Sequence, residues 1–294
     1  MNWDLIYRGE TRDLDDSVRA AAGGSFIHVQ SGCTHYELAG PEGRRPVVLI
    51  HGFSVPFFIW DTTFASLVAA GHRLLRYDLL GRGYSDRPRV RYDLALFVRQ
   101  LAELLDGLNI AQADLIGLSM GGVIATAFTV RFPQRVRRLA LLAPIGSEPM
   151  PLNLLFKPAL LPGISELALG LLRSYQMVQN LASDFFDPKE VERFIGQYRS
   201  QMQFRGFKRA ILSTVRNGVV NGSPESYDSL GRLDLPVLLI WGRDDRTLPL
   251  AQSAPILNRV PRAEFHVIDG AGHIPNVERA DVVQPLLLDF LERT

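Results

Sequence analysis

The chain has 294 residues, with 32 Lys plus Arg against 31 Asp plus Glu and a formal net charge of +1, so no broad electrostatic case exists for nucleic acid or an anionic membrane as partner. Charged residues make up 21% and hydrophobic residues 47%, which excludes global disorder, and the single cysteine, Cys33, excludes an intramolecular disulfide and a Cys-rich zinc module. The start, MNWDLIYRGETRDLDD, lacks the basic-then-apolar order of a signal peptide, and no stretch of roughly 18 apolar residues occurs, so a cytoplasmic protein without stable membrane insertion is expected.

Residues 1–24 are mixed, end in Gly24 and read as a surface lead-in. From about residue 25, short apolar runs alternate with helical periodicity. The runs are Pro46–Ile50, Arg73–Tyr77, Ala113–Gly117, Arg138–Leu142, Pro236–Ile240 and Glu264–Ile268. Apolar side chains at consecutive positions suit strands buried on both faces, as in a parallel sheet. Between them, Tyr92 to Leu108 places Leu94, Phe97, Val98, Leu101, Leu104, Leu105 and Leu108 on one helical face, with Gly107 and Asn109 as stop signals. Val123 to Phe132, Ala251 to Val260 and Pro285 to Leu291 are further helical stretches. The alternation predicts an α/β fold.

The alternation breaks over residues 146–208. This segment is Leu- and Pro-rich in its first part and polar and helical from Asp187 to Phe207, with no evident strand. It reads as a helical cap inserted between two strands of a core formed by residues 25–145 and 209–294.

Four motifs sit at ends of the apolar runs. The first, Gly117-Leu118-Ser119-Met120-Gly121-Gly122, lies between a strand and a helix, the context a G-x-S-x-G elbow requires. There a serine sits on a tight turn, and the helix N-terminus points N–H groups at a developing oxyanion. The second, His51-Gly52-Phe53-Ser54, lets backbone approach a ligand at a strand end. The backbone N–H groups of Phe53 and Met120 are the expected oxyanion donors, and His51 is expected to brace its loop. The third, Trp241-Gly242-Arg243-Asp244-Asp245-Arg246-Thr247-Leu248-Pro249, offers two adjacent carboxylates to orient a base. The fourth, Gly270-Ala271-Gly272-His273, presents a glycine-flanked histidine after the last strand, better placed than His266 within it. No HExxH or comparable ligand cluster is present, so no metal is expected. Gly81-Arg82-Gly83 lacks the third glycine of a dinucleotide fingerprint, Asp86 standing there, so no cofactor is expected.

Together with Tyr77-Asp78 and Gly81-Arg82-Gly83-Tyr84-Ser85-Asp86-Arg87-Pro88, these motifs resemble the α/β-hydrolase fold superfamily over about residues 25–294. The resemblance implies a mostly parallel sheet flanked by helices, with the cap inserted before the acid-bearing strand. It also implies the acid three residues after Gly242, which selects Asp245 and gives the chain order Ser119, Asp245, His273. Segment 77–88 corresponds to a structural loop bordering the site. Serine at 119 argues against the haloalkane dehalogenases and epoxide hydrolases of this superfamily, which use aspartate.

The motif combination looks most like carboxylesterases and monoacylglycerol lipases. The expectation is a serine hydrolase acting through an acyl-enzyme on a small apolar ester. Phe57, Phe58, Leu154, Leu155, Phe156 and Phe185 are expected to line its pocket. The alternative is C–C hydrolysis of meta-cleavage-type dienones, or acyl transfer or thioester cleavage on the same triad. C–C hydrolases often carry a polar residue where Leu118 stands. A non-catalytic ligand receptor on the same scaffold is a third reading.

Overall fold

The computed structural model describes residues 7, 9–146 and 184–293. Among them eight strands form one sheet in the order β1-β2-β4-β3-β5-β6-β7-β8. The strands are β1 (Ser25–Val29), β2 (Gly32–Ala39), β3 (Pro46–Ile50), β4 (Arg73–Tyr77), β5 (Ala113–Leu118), β6 (Val136–Leu142), β7 (Val237–Gly242) and β8 (Glu264–Ile268). From β4 to β8 every neighbouring pair is parallel, whereas β2 pairs antiparallel with both β1 and β4.

Each of the six apolar runs is a strand of the parallel part, with bounds differing by at most two residues. Val47, Val48, Leu49 and Ile50 show why: all four are buried, so side chains on both faces of β3 meet packed helices. The sequence reading did not find β1 and β2. They form the antiparallel end of the sheet and carry His28, Thr34 and His35; β1 is the edge strand, and every one of its residues keeps some solvent exposure. A search for unbroken apolar runs misses such strands.

The described helices are α1 (Asp16–Ala21), α2 (Asp61–Ala69), α3 (Leu94–Gly107), α4 (Met120–Arg131), α5 (Pro188–Gln201), α6 (Phe207–Arg216), α7 (Pro224–Leu230), α8 (Ser253–Arg259), α9 (Pro275–Glu278) and α10 (Ala280–Glu292). Helix α3 starts two residues inside its expected span, because Asp93 caps it by accepting the Leu96 N–H at 2.9 Å. Asn109 then leaves the helix in the left-handed region, at φ 54°. Helix α10 begins before Pro285, which sits inside it. Taking the proline as a starting signal shortened the expected element.

One apolar cluster, built on Val48, Leu75, Leu101, Phe97, Ile124 and Phe128, covers the face with α3 and α4. A second, built on Leu49, Trp60, Phe64, Ile116, Ile240 and Leu287, covers the other face with α2 and α10. The sheet is therefore the middle layer of three.

The described part of the expected cap begins at Asp184. It contains α5, and α6 starts at Phe207 and runs across the expected boundary at 208. The first 24 residues are not all surface: Tyr7 is 3% and Glu10 6% exposed. The Glu10 carboxylate accepts the N–H groups of Gly206 and Lys208 at 2.8 and 2.6 Å. It thus satisfies donors left unpaired at the start of α6 from 196 residues away in the chain.

Candidate active site

Ser119, Asp245 and His273 follow β5, β7 and β8, so all three stand at the C-terminal edge of the parallel strands. This is the edge where open α/β sheets bind ligands. Ser119 is 8% exposed, at φ 54° and ψ −118°, and its side chain makes no capping hydrogen bond to α4. A non-glycine residue held there stores strain of about 1–3 kcal/mol. The turn is clamped on both sides: the Ser119 N–H donates to Leu142 O at 2.9 Å, and Ser119 O accepts from Gly122 and Ile145 N–H.

The elbow glycines are required by close backbone approach. A Cβ on Gly117 would lie 2.4 Å from Gly121 O, and one on Gly121 would lie 2.1 Å from Ile50 O. Either would drive α4 off β3 and β5. Gly121→Ala is expected to destabilise the fold by about 3 kcal/mol, seen as a lower urea midpoint; an unchanged midpoint would show that α4 can move aside freely.

His273 Nδ1 lies 2.8 Å from Asp245 Oδ2, with side-chain exposures of 6% and 0%. Asp245 Oδ1 accepts the N–H groups of Thr247 and Leu248 at 2.9 and 2.7 Å. One carboxylate oxygen thus holds the turn and the other faces the imidazole. Burial opposes charge on the ring, but the Asp245 carboxylate and its hydrogen bond, then Asp184 and Glu278, outweigh it and raise the His273 pKa above the usual range. Asp244 is half-buried, and its N–H donates to Ala271 O.

His51 is fully buried, with Nδ1 on Gly52 O and Nε2 accepting the Leu79 N–H, both at 2.9 Å. Burial drives it down to about 4. A neutral ring bonded to backbone at both nitrogens is a brace for this loop. Phe53 is half-buried and Met120, the first residue of α4, is fully buried. Arg82 fixes the Phe53 loop, donating from Nε to Phe53 O at 2.9 Å and from Nη2 to Thr214 Oγ1 at 2.9 Å. Gly52 touches the serine: a Cβ there would lie 3.3 Å from Ser119 Cβ.

The expected pocket residues separate. Phe57 stacks on His35 at 4.8 Å and lines a cavity of about 290 Å³ with His35, Asp78, Tyr84 and Gln201. Phe58 lines it too and stacks on Phe194 at 6.1 Å, and Phe194 lies 5.5 Å from the buried Phe185. Leu154, Leu155 and Phe156 lie outside the described residues.

Sequence reading did not single out four residues that shape this edge. Asp184 O accepts the His273 N–H at 2.8 Å, and Asp184 Oδ1 accepts the Thr247 hydroxyl at 2.5 Å. Glu278 on α9 accepts the Gly272 N–H at 2.7 Å and those of Phe186 and Asp187. Tyr198 on α5 is 1% exposed, with its hydroxyl bonded to Ser54, and burial pushes it up to about 12. Thr247 follows the Asp245 turn. Only Thr247 lies within a recognised motif, where no role was assigned to it; no spacing or periodicity marks the other three.

The α/β-hydrolase fold family model matches residues 45–280, so the chain belongs to the α/β-hydrolase fold family. A 2-hydroxymuconate semialdehyde hydrolase from Pseudomonas sp. (strain CF600) is 32% identical over 255 residues, covering 84% of this chain and 86% of the relative. A putative non-heme chloroperoxidase from Synechocystis sp. is 30% identical over 269 residues, covering 88% and 94%. Among solved structures, a meta-cleavage product hydrolase from Pseudomonas fluorescens IP01 superposes with a TM-score of 0.75 at 25% identity, covering 91% of this chain and 97% of that one. Among the described residues, no helix is long and apolar enough to cross a membrane.

Proposed function

We propose that the chain is a serine hydrolase that cleaves the C–C bond beside the ketone of a 2-hydroxy-6-oxo-dienoate, the kind of product that meta-cleavage of an aromatic ring leaves. The observation that carries this reading is the similarity to a 2-hydroxymuconate semialdehyde hydrolase across more than four-fifths of both chains. It moves the alternative reading ahead of the ester first expected.

The geometry supports the following roles. Asp245 Oδ2 receives the His273 Nδ1–H, which leaves Nε2 as the basic nitrogen. His273 takes the Ser119 hydroxyl proton as the oxygen attacks the ketone carbonyl. The Phe53 and Met120 N–H groups receive the oxyanion. For the C5–C6 bond to break, the dienol first passes its 2-hydroxyl proton to C5; the electron pair then moves through the C3–C4 double bond onto the 2-oxo oxygen, which takes the proton back from His273 as the 2-hydroxy-dienoate leaves. Water, deprotonated by the same histidine, then cleaves the acyl-enzyme and frees a carboxylic acid and Ser119.

Ester hydrolysis is the second reading, on one observation: Leu118, buried beside the serine, is apolar where C–C hydrolases often carry a polar residue. Parallel assays separate the two. A 2-hydroxy-6-oxo-dienoate is followed by loss of its absorbance, and p-nitrophenyl esters from acetate to palmitate by release of p-nitrophenol. The expected result is a kcat/KM for the dienoate about a hundredfold above that for the best ester. Turnover of esters with none of the dienoate would reverse the assignment.

A further inference from the structure

Asp184 stands at the start of the described segment leading into α5, 61 residues before Asp245 and 89 before His273 in the chain. It makes two contacts with the triad loops, and a third bond extends one of them to the acid. Its carbonyl oxygen accepts the His273 N–H at 2.8 Å, and its carboxylate Oδ1 accepts the Thr247 hydroxyl at 2.5 Å. The Thr247 N–H in turn donates to the Asp245 oxygen that faces away from the imidazole. Glu278 ties Phe186 and Asp187, two and three residues further on, to the Gly272 N–H. The segment is therefore fastened to both the loop that carries the histidine and the loop that carries the acid.

We infer that Asp184 is a positioning residue of the triad: its main chain fixes the His273 loop, and its carboxylate supplies a second negative charge that favours the His273 imidazolium. This rests on His273 being the general base proposed above. The ionisable groups around the imidazole are Asp245 on the β7 loop, Asp184 before α5 and Glu278 on α9. Those around the Asp184 carboxyl are His273 and Asp245, with the Tyr198 phenol also near. Burial, with the neighbouring Asp245 charge, holds the Asp184 carboxyl above the usual carboxylate range, while His273 and the Thr247 hydrogen bond act against that rise and favour its ionised form.

A carboxylate in this position has a use in the reaction. The imidazole gains a proton each time Ser119 or water is deprotonated, and an anion beside it lowers the cost of that charge. It also keeps the ring protonated to higher pH in the resting enzyme. Because neutral imidazole is the base, activity is lost as pH falls through the His273 pKa, and removing a neighbouring anion moves that loss to lower pH.

Asp184→Asn tests this directly. Asparagine keeps an oxygen for the Thr247 hydroxyl and leaves the main-chain bond to His273 intact, so the charge alone is removed. The readout is the titration of the His273 ring by NMR, its resonance assigned among six histidines by its loss in His273→Gln. The same variant is profiled for kcat/KM against pH on the substrate found above. The expected result is a His273 titration displaced to lower pH, an acid limb that follows it, and a plateau lowered about threefold. A merely structural contact would change thermal stability and leave the titration in place, which would overturn the inference. Should Asp184→Asn not fold, Thr247→Val removes the hydroxyl that favours the charged carboxylate, and a smaller displacement in the same direction is expected. An unmoved histidine in Thr247→Val likewise overturns it. The titration needs no substrate, so a wild type inactive on every carbonyl compound would refute the proposed reaction while leaving this result readable.

Discussion

Ser119→Ala is expected to lower kcat by about a million-fold on the substrate the wild type prefers, leaving only the acceleration due to binding and oxyanion contacts. The variant keeps Cβ, so the elbow, its clamps to Leu142, Gly122 and Ile145, and the strained φ of 54° persist. Loss of turnover is then chemical, and near-wild-type thermal unfolding should accompany it. Ser119→Gly sharpens the point. Glycine tolerates the backbone region the serine is forced into, so this variant should be equally inactive yet more stable than Ser119→Ala by about 1 kcal/mol. Stability rising as activity disappears would mark the strain as the cost of presenting the hydroxyl. Retained turnover in Ser119→Ala would remove the serine from the mechanism.

Asp245→Asn is expected to lower kcat by about ten-thousand-fold, because the turn dictates how the amide sits. Thr247 and Leu248 donate their N–H groups to Oδ1. An asparagine must keep its oxygen there and so turns its NH2 toward His273 Nδ1, where Oδ2 now lies at 2.8 Å. That donor forces the ring's proton onto Nε2, and the nitrogen that should accept the serine proton is already occupied. Asp244→Asn should stay within about twofold of wild type, as expected of a partly exposed side chain away from such features. Equal losses in the two variants would mean that the Asp245 carboxylate does no more than shape the loop.

The part of the molecule legible in the sequence is the part made by local chemistry. Residues 46–50 and 236–240 read as buried strands because every position in them is apolar, and 113–117 because only Asp114 interrupts the run. Ser119 is legible because a strand must turn into a helix within one residue, and Gly117 and Gly121 are the only residue type that leaves room. The same logic exposed His273, with Gly272 packed against Asp184 O and Phe186 N.

Other features were legible only once the chain was folded. Strands β1 and β2 carry no apolar run: β1 is a partly exposed edge, and β2 buries Thr34 and His35 beside Cys33. Phe57 and Phe58 are adjacent and chemically identical, yet one stacks on His35 and the other on Phe194. Glu10 caps a helix 196 residues away.

By itself, then, the sequence determined which residues stand at the ends of the parallel strands, and with them the candidate nucleophile, acid and base. Backbone turns and strand burial are set by neighbours a few positions apart, and residue type records them. Tertiary structure alone decided which oxygen of Asp245 faces the ring, and that Asp184 and Glu278 hold the backbone of the His273 loop. Those depend on contacts between segments distant in the chain, which leave no periodicity or spacing in the sequence to read.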